Sequence, residues 1–176
     1  TGPKEGVVSP FTPAASTLPG ATHFGRIASM RIFQPNGARP RFSPDGGRIL
    51  FDRQNADGFF DLYVAGLHDA TPHGLSEGRS ELAARNNGNG AFHPSGRYIV
   101  FLSEEPRHFQ DNMVWLGNPG IGMYCNLWAT DSRGGRFWKL TAYPPKMKLI
   151  DGIQVMGVVN PHFSHDGSRL IWTERY

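Results

Sequence analysis

Residues 41–51 read RFSPDGGRILF, a Ser-Pro-Asp-Gly turn signal held between short apolar runs. The pattern returns at residues 91–101, AFHPSGRYIVF, and at residues 162–172, HFSHDGSRLIW. Aligned without gaps on Phe42, Phe92 and Phe163, the three decapeptides carry their turn at one offset and end on three apolar residues. Ser43-Pro44-Asp45-Gly46 suits a type I turn with Pro at its second position and a left-handed Gly after it, the usual three-residue hairpin with a bulge. Pro94 and Asp166 keep their places, while Ser95 stands for the Asp in the second copy and His165 for the Pro in the third. Gly46, Gly96 and Gly167 all occupy the position that requires positive φ. Each decapeptide predicts a β-hairpin.

The match continues downstream. DLYVAGLHDATPHGL, residues 61–75, lies without a gap over NLWATDSRGGRFWKL, residues 126–140, which adds a third strand near 61–65 and a fourth near 72–75. The second strands, ILF, IVF and LIW, are continuously apolar, as expected where both faces of a sheet are covered. Four short antiparallel strands buried on both faces must stack on similar sheets, which is how β-propeller blades are built. The expected fold is therefore all-β, a partial propeller with a blade at 38–76, a second at 90–141, and the first hairpin of a third at 160–176.

Composition agrees with that class. The chain has 176 residues, 39% of them apolar, and 22 Gly with 14 Pro make about a fifth of the total, against roughly 12% in an average protein. Many turns and short strands follow. Residues 1–23 are rich in Pro, Thr, Ser, Ala and Gly without an apolar period and read as an extended segment or linker, leaving 24–176 for the propeller portion. Helical spacing shows only in SEGRSELAARNN, residues 76–87, and there briefly. The 18 basic and 15 acidic residues are interspersed, so no charged arm points to nucleic acid. No apolar run approaches the ~18 residues of a membrane span, and a soluble chain is expected. Cys125 is the single cysteine; beside Tyr124, Leu127 and Trp128 it reads as a buried, inert thiol with no disulfide.

With these residues aligned, the repeats resemble the TolB-type, WD-repeat-like β-propeller unit: a Phe-Ser-Pro-Asp-Gly hairpin, an apolar second strand, a third strand of the Asp-Leu-Tyr-Val kind and a closing Leu-Thr. The resemblance covers about two thirds of the chain. It implies a bacterial, often exported or periplasmic, protein whose propeller is a docking or scaffold surface, peripheral to an envelope-associated complex. Closed propellers need at least four blades, so the sequence implies either a longer protein, several copies completing a ring, or a chain held by other subunits. A competing expectation is the propeller of a prolyl-oligopeptidase-like hydrolase whose catalytic domain lies elsewhere.

The second unit is longer than the first. About 15 extra residues stand between its second and third strands, and about six more before the next hairpin. In a four-stranded meander both connections emerge on one side, so segments 104–123 and 143–159 are expected to enlarge a single face. They carry Phe109, Met113, Trp115, Leu116, Ile121 and Met123 in the first, and Met147, Leu149 and Ile150 in the second, a concentration of apolar side chain that marks interaction sites. Trp115 is the expected anchor. The partner called for is a protein.

No nucleophile elbow, phosphate loop or His-Glu-x-x-His motif occurs, and no catalytic residue or cofactor is expected. The seven histidines, His23, His68, His73, His93, His108, His162 and His165, read as turn or surface residues, with His162 and His165 on different faces and His93 in the slot of Ser43 and Ser164. NADGFFD, residues 55–61, resembles a calcium loop only superficially, because Arg53 and Val64 stand where acidic ligands would be needed. It reads as a turn on Asp57-Gly58, and no metal site is expected.

Overall fold

At the end of each repeat turn, glycine adopts the left-handed conformation that the spacing requires, with φ of 69° at Gly46, 69° at Gly96 and 74° at Gly167. The computed structural model describes residues 32–69, 71–82, 85–105, 117–143, 148–150, 153–155 and 157–175; the extended segment expected at 1–23 lies outside them. Twelve strands are present among the described residues. β1 (Gly37–Phe42), β2 (Arg48–Gln54), β3 (Phe60–Gly66) and β4 (His73–Gly74) form one antiparallel sheet in that order. β5 (Asn87–Phe92), β6 (Tyr98–Glu104), β7 (Cys125–Asp131) and β8 (Phe137–Lys139) form a second with the same order. β9 (Lys148–Ile150) pairs β10 (Ile153–Val155), and β11 (Gly157–Phe163) pairs β12 (Leu170–Arg175).

The hairpins hold themselves by side-chain capping. Ser43 Oγ accepts the Arg48 N–H at 2.9 Å while Asp45 Oδ1 accepts that of Gly47 at 3.0 Å. Ser164 and Asp166 repeat both bonds on Arg169 and Ser168. A bond donated by the serine hydroxyl to each carboxylate, followed by the backbone bond from Gly47 or Ser168, holds the Asp45 carboxyl below its ordinary range and brings that of Asp166 to about 2. In the middle hairpin His93 stands at the serine's position and makes a different bond, its Nδ1 accepting the Ser95 N–H at 3.1 Å.

Alternation along the strands divides the apolar residues between two interfaces. Leu50, Leu62 and Val64 of the first sheet pack with Phe92, Ile99 and Phe101 of the second. From the opposite face of the second sheet, Leu102, Cys125 and Leu127 meet Val158 and Val159 of β11. Ile49, Phe51, Tyr63 and Ala65 form a third cluster on the outer face of the first sheet. Face-to-face stacking thus buries both sides of the central sheet, and each fully buried Leu or Phe contributes about 1.5–3 kcal/mol by leaving water. The sheets approach closely at Gly90, where a Cβ would stand 2.7 Å from Leu50 Cδ2.

One expectation fails. Residues 76–82 form turns rather than helix, with the Arg79 N–H bonded to Ser76 O and the Leu82 N–H to Arg79 O. The apolar spacing there arises because Leu82 reaches the inter-sheet core from a turn, and Asn87 already belongs to β5. Among the described residues, no helix is long and apolar enough to cross a membrane.

Candidate functional site

The first strands carry a feature that the sequence did not announce. Three residues before each repeat phenylalanine stands a residue of positive φ: Arg39 at 49°, Asn89 at 49° and Asn160 at 54°. The ladder shifts there in all three hairpins, so that two residues of the first strand oppose one of the second. Such a bulge turns its side chain out of the ordinary alternation. Asn89 Nδ2 reaches Asn160 Oδ1 at 3.2 Å across two sheets. Arg39 instead folds onto Asp52 of its own sheet, its Nε 2.7 Å from Oδ2. Burial raises the pKa of Asp52, opposed by the Arg39 hydrogen bond and charge. The recurring Asn89-Gly90 and Asn160-Pro161 dipeptides were the available signal, since Asn tolerates left-handed backbone better than most residues.

At the hairpin ends of the same strands lies a cleft of about 580 Å³. It is lined by the same positions of all three repeats: Arg41, Ala91 and His162; Phe42, Phe92 and Phe163; Pro44, Pro94 and His165. Phe42 is 66% exposed. His162 and His165 both line this cleft, as do the adjacent Arg41 and Phe42. His93 is edge-on to Phe163 at 4.8 Å and its Nε2 lies 3.2 Å from Gly167 O, tying the second hairpin to the third. Since Nδ1 accepts the Ser95 N–H, Nε2 carries the proton and donates. Arg48 Nη2 makes the corresponding contact to Gly96 O at 3.4 Å.

The opposite, loop-bearing side of the first sheet holds a cleft of about 840 Å³ lined by Asp57, Asp61 and Glu77 with Asn55, Ser76 and Ser80. Asp57-Gly58 forms the expected turn, with Gly58 at φ 86° and the Phe59 N–H on Asp57 Oδ1 at 3.0 Å. Among the described residues, no group of three His, Cys, Asp or Glu is placed to hold a metal.

Of the apolar residues expected to form an interaction face, Phe109, Met113, Trp115, Leu116 and Met147 lie outside the described residues. Leu149 and Ile150 fall in β9. Ile121 and Met123 are half-buried, and Met123 is bridged to Gly157 of β11. Cys125 is fully buried, and that burial, followed by the nearby Glu104 charge, pushes its thiol well above the ordinary value.

No family model matches the sequence, and no curated protein matches it. Solved structures do. TolB from Agrobacterium tumefaciens aligns over 76% of this chain and 36% of its own, at 20% identity and a TM-score of 0.53. TolB from Acinetobacter baumannii aligns over 80% of this chain and 27% of its own, at 19% identity and a TM-score of 0.50. This chain therefore spans about a third or less of their length. An acylaminoacyl peptidase from Pyrococcus horikoshii aligns over 60% of this chain and 18% of its own, at 20% identity and a TM-score of 0.42, and bears on neither fold nor function. Antiparallel four-stranded sheets in sequential order, stacked face to face and aligned with both TolB structures, identify the fold as that of the TolB-type β-propeller.

Proposed function

We propose that this chain is a non-catalytic protein-interaction module, an exported scaffold component of a larger envelope-associated assembly. The observation that carries the reading is the cleft at the hairpin ends, where three repeats contribute equivalent residues around an exposed phenylalanine. Its aromatic and Pro walls suit an extended peptide segment, and Arg41, His162 and His165 favour one bearing carboxylates. The mechanism is geometric: a stack of rigid sheets, linked at the hairpin tips by His93 and Arg48, presents a preformed surface. We further propose that the apolar segments 104–123 and 143–159 supply a second contact area.

The test is site-specific photo-crosslinking in the source organism, with the crosslinker placed at Phe42 and, separately, at Asp57 on the loop side. A defined protein captured from Phe42, lost in the Arg41→Ala and His165→Ala variants, is the expected result. Capture from Asp57 alone, insensitive to those substitutions, would move the binding surface to the loop side.

A further inference from the structure

Residues 117–124, the described end of the long β6–β7 connection, touch all three stacked sheets. Asn89 of β5 donates from Nδ2 to Pro119 O at 3.1 Å. Arg175 of β12 donates from Nε to Ile121 O at 2.9 Å, and the Val158 N–H of β11 donates to Gly122 O at 3.1 Å. The Arg39 guanidinium of β1 lies against Gly120, where a Cβ would stand 2.9 Å from its Nη1. Two glycines permit the closest approach. A Cβ on Gly122, whose φ is 74°, would overlap the Val158 carbonyl oxygen, and one on Gly157 would overlap that of Gly122.

These anchors share one location. Arg39 and Asn89 are bulge residues near the beginnings of the first strands, and Gly157 and Val158 open β11. The hairpin cleft lies at the other ends of those strands. We propose that residues 117–124 form a fixed strap across the loop end of the groove between β1, β5 and β11, so that a bound segment enters this groove from the hairpin end. The strap is gripped through its carbonyl oxygens and its glycines, so it is held by backbone shape rather than by apolar side chains. The inference deepens the binding reading by giving the direction of approach, and its test needs no partner.

Beneath the strap lies the chain's single cysteine. Cys125 is fully buried, with its thiol 3.5 Å from Gly117 O. Alkylation of the 176-residue chain by N-ethylmaleimide under native conditions therefore reports strap opening. The wild type is expected to react far more slowly than the urea-unfolded chain. Gly122→Ala should raise the native rate at least about tenfold by favouring local opening. Asn89→Gly, which keeps the left-handed backbone but loses the bond to Pro119 O together with that to Asn160 Oδ1, should raise it at least about fivefold, the effect of the one neutral hydrogen bond to the strap. Hydrogen exchange on the β6–β7 and β11–β12 ladders establishes that the sheets burying Cys125 remain folded in each variant. Should Gly122→Ala fail that control, Asn89→Gly and Arg175→Ala decide. Folded variants that all react at the wild-type rate, or a wild type that reacts as fast as the unfolded chain, would overturn the strap.

Discussion

Asp61 and Asn126 occupy equivalent positions and hold the third strand in the same way. Ser76 Oγ donates to Asp61 Oδ1 at 2.6 Å and accepts the Leu62 N–H at 2.8 Å. Thr141 Oγ1 donates to Asn126 Oδ1 and accepts the Leu127 N–H, both at 2.9 Å. A carboxylate and an amide thus solve one local problem, but only the carboxylate carries a charge that is costly to remove from water. Burial raises the pKa of Asp61 above 3.8, opposed by its bonds from Ser76 and Asn87. Between 3.8 and the raised value the folded state binds more protons than the unfolded chain, so this group's contribution is fully present below that window and lost as pH rises through it. Asp61→Asn is expected to match or exceed wild-type stability at pH 7 and to flatten that slope, with Asn55 flipping its amide to face the new one. Asp61→Ala should destabilise by about 1–3 kcal/mol, because Ser76 and Asn87 lose their acceptor. Urea midpoints from pH 4 to pH 8 check both; an Asn variant as damaged as the Ala variant would show that the charge itself is required.

Among the elements, the three hairpins make the sharpest comparison, because one turn is repeated in different surroundings. A Cβ at Gly46 or Gly96 meets nothing within 4 Å, whereas at Gly167 it would stand 2.5 Å from His93 Nε2. Gly46→Ala should therefore cost about 1 kcal/mol from its left-handed backbone alone. Gly167→Ala should cost more and also free the His93 ring from Gly167 O. Paired thermal melts, with the His93 ring resonances followed by NMR, read both effects; equal losses at the two glycines would remove the hairpin link. The turns themselves were legible because Ser, Asp and Gly act within six residues of one another. The bulges were not, because Asn89 and Asn160 meet across two sheets while Arg39 turns to Asp52 of its own sheet, and Arg39 resembles no usual left-handed residue.

For the whole molecule, the apolar second strands revealed that sheets stack on both faces, and Phe101, fully buried between them, shows why. Phe101→Ala should cost about 3–5 kcal/mol, read as a shifted urea midpoint. The strap was not legible, because it is gripped by backbone oxygens and glycines rather than by a repeated pattern. The third hairpin, which the repeat alignment gave without the two further strands of a blade, has different surroundings. Val100 and Phe101 are 2% and 0% exposed, while the equivalent Ile171 and Trp172 are 65% and 38% exposed. Among the described residues β12 pairs only with β11, whereas β2 and β6 each pair on both sides. An edge with apolar side chains on both faces is a template for another strand. The 176-residue polypeptide, purified alone, is therefore expected to self-associate as its concentration rises, and Ile171→Lys should weaken that association by placing charge on the edge without removing a core contact. Sedimentation velocity across a concentration series decides: a wild-type chain that stays monomeric throughout, or a lysine variant that associates equally well, would place the sticky surface elsewhere than β12.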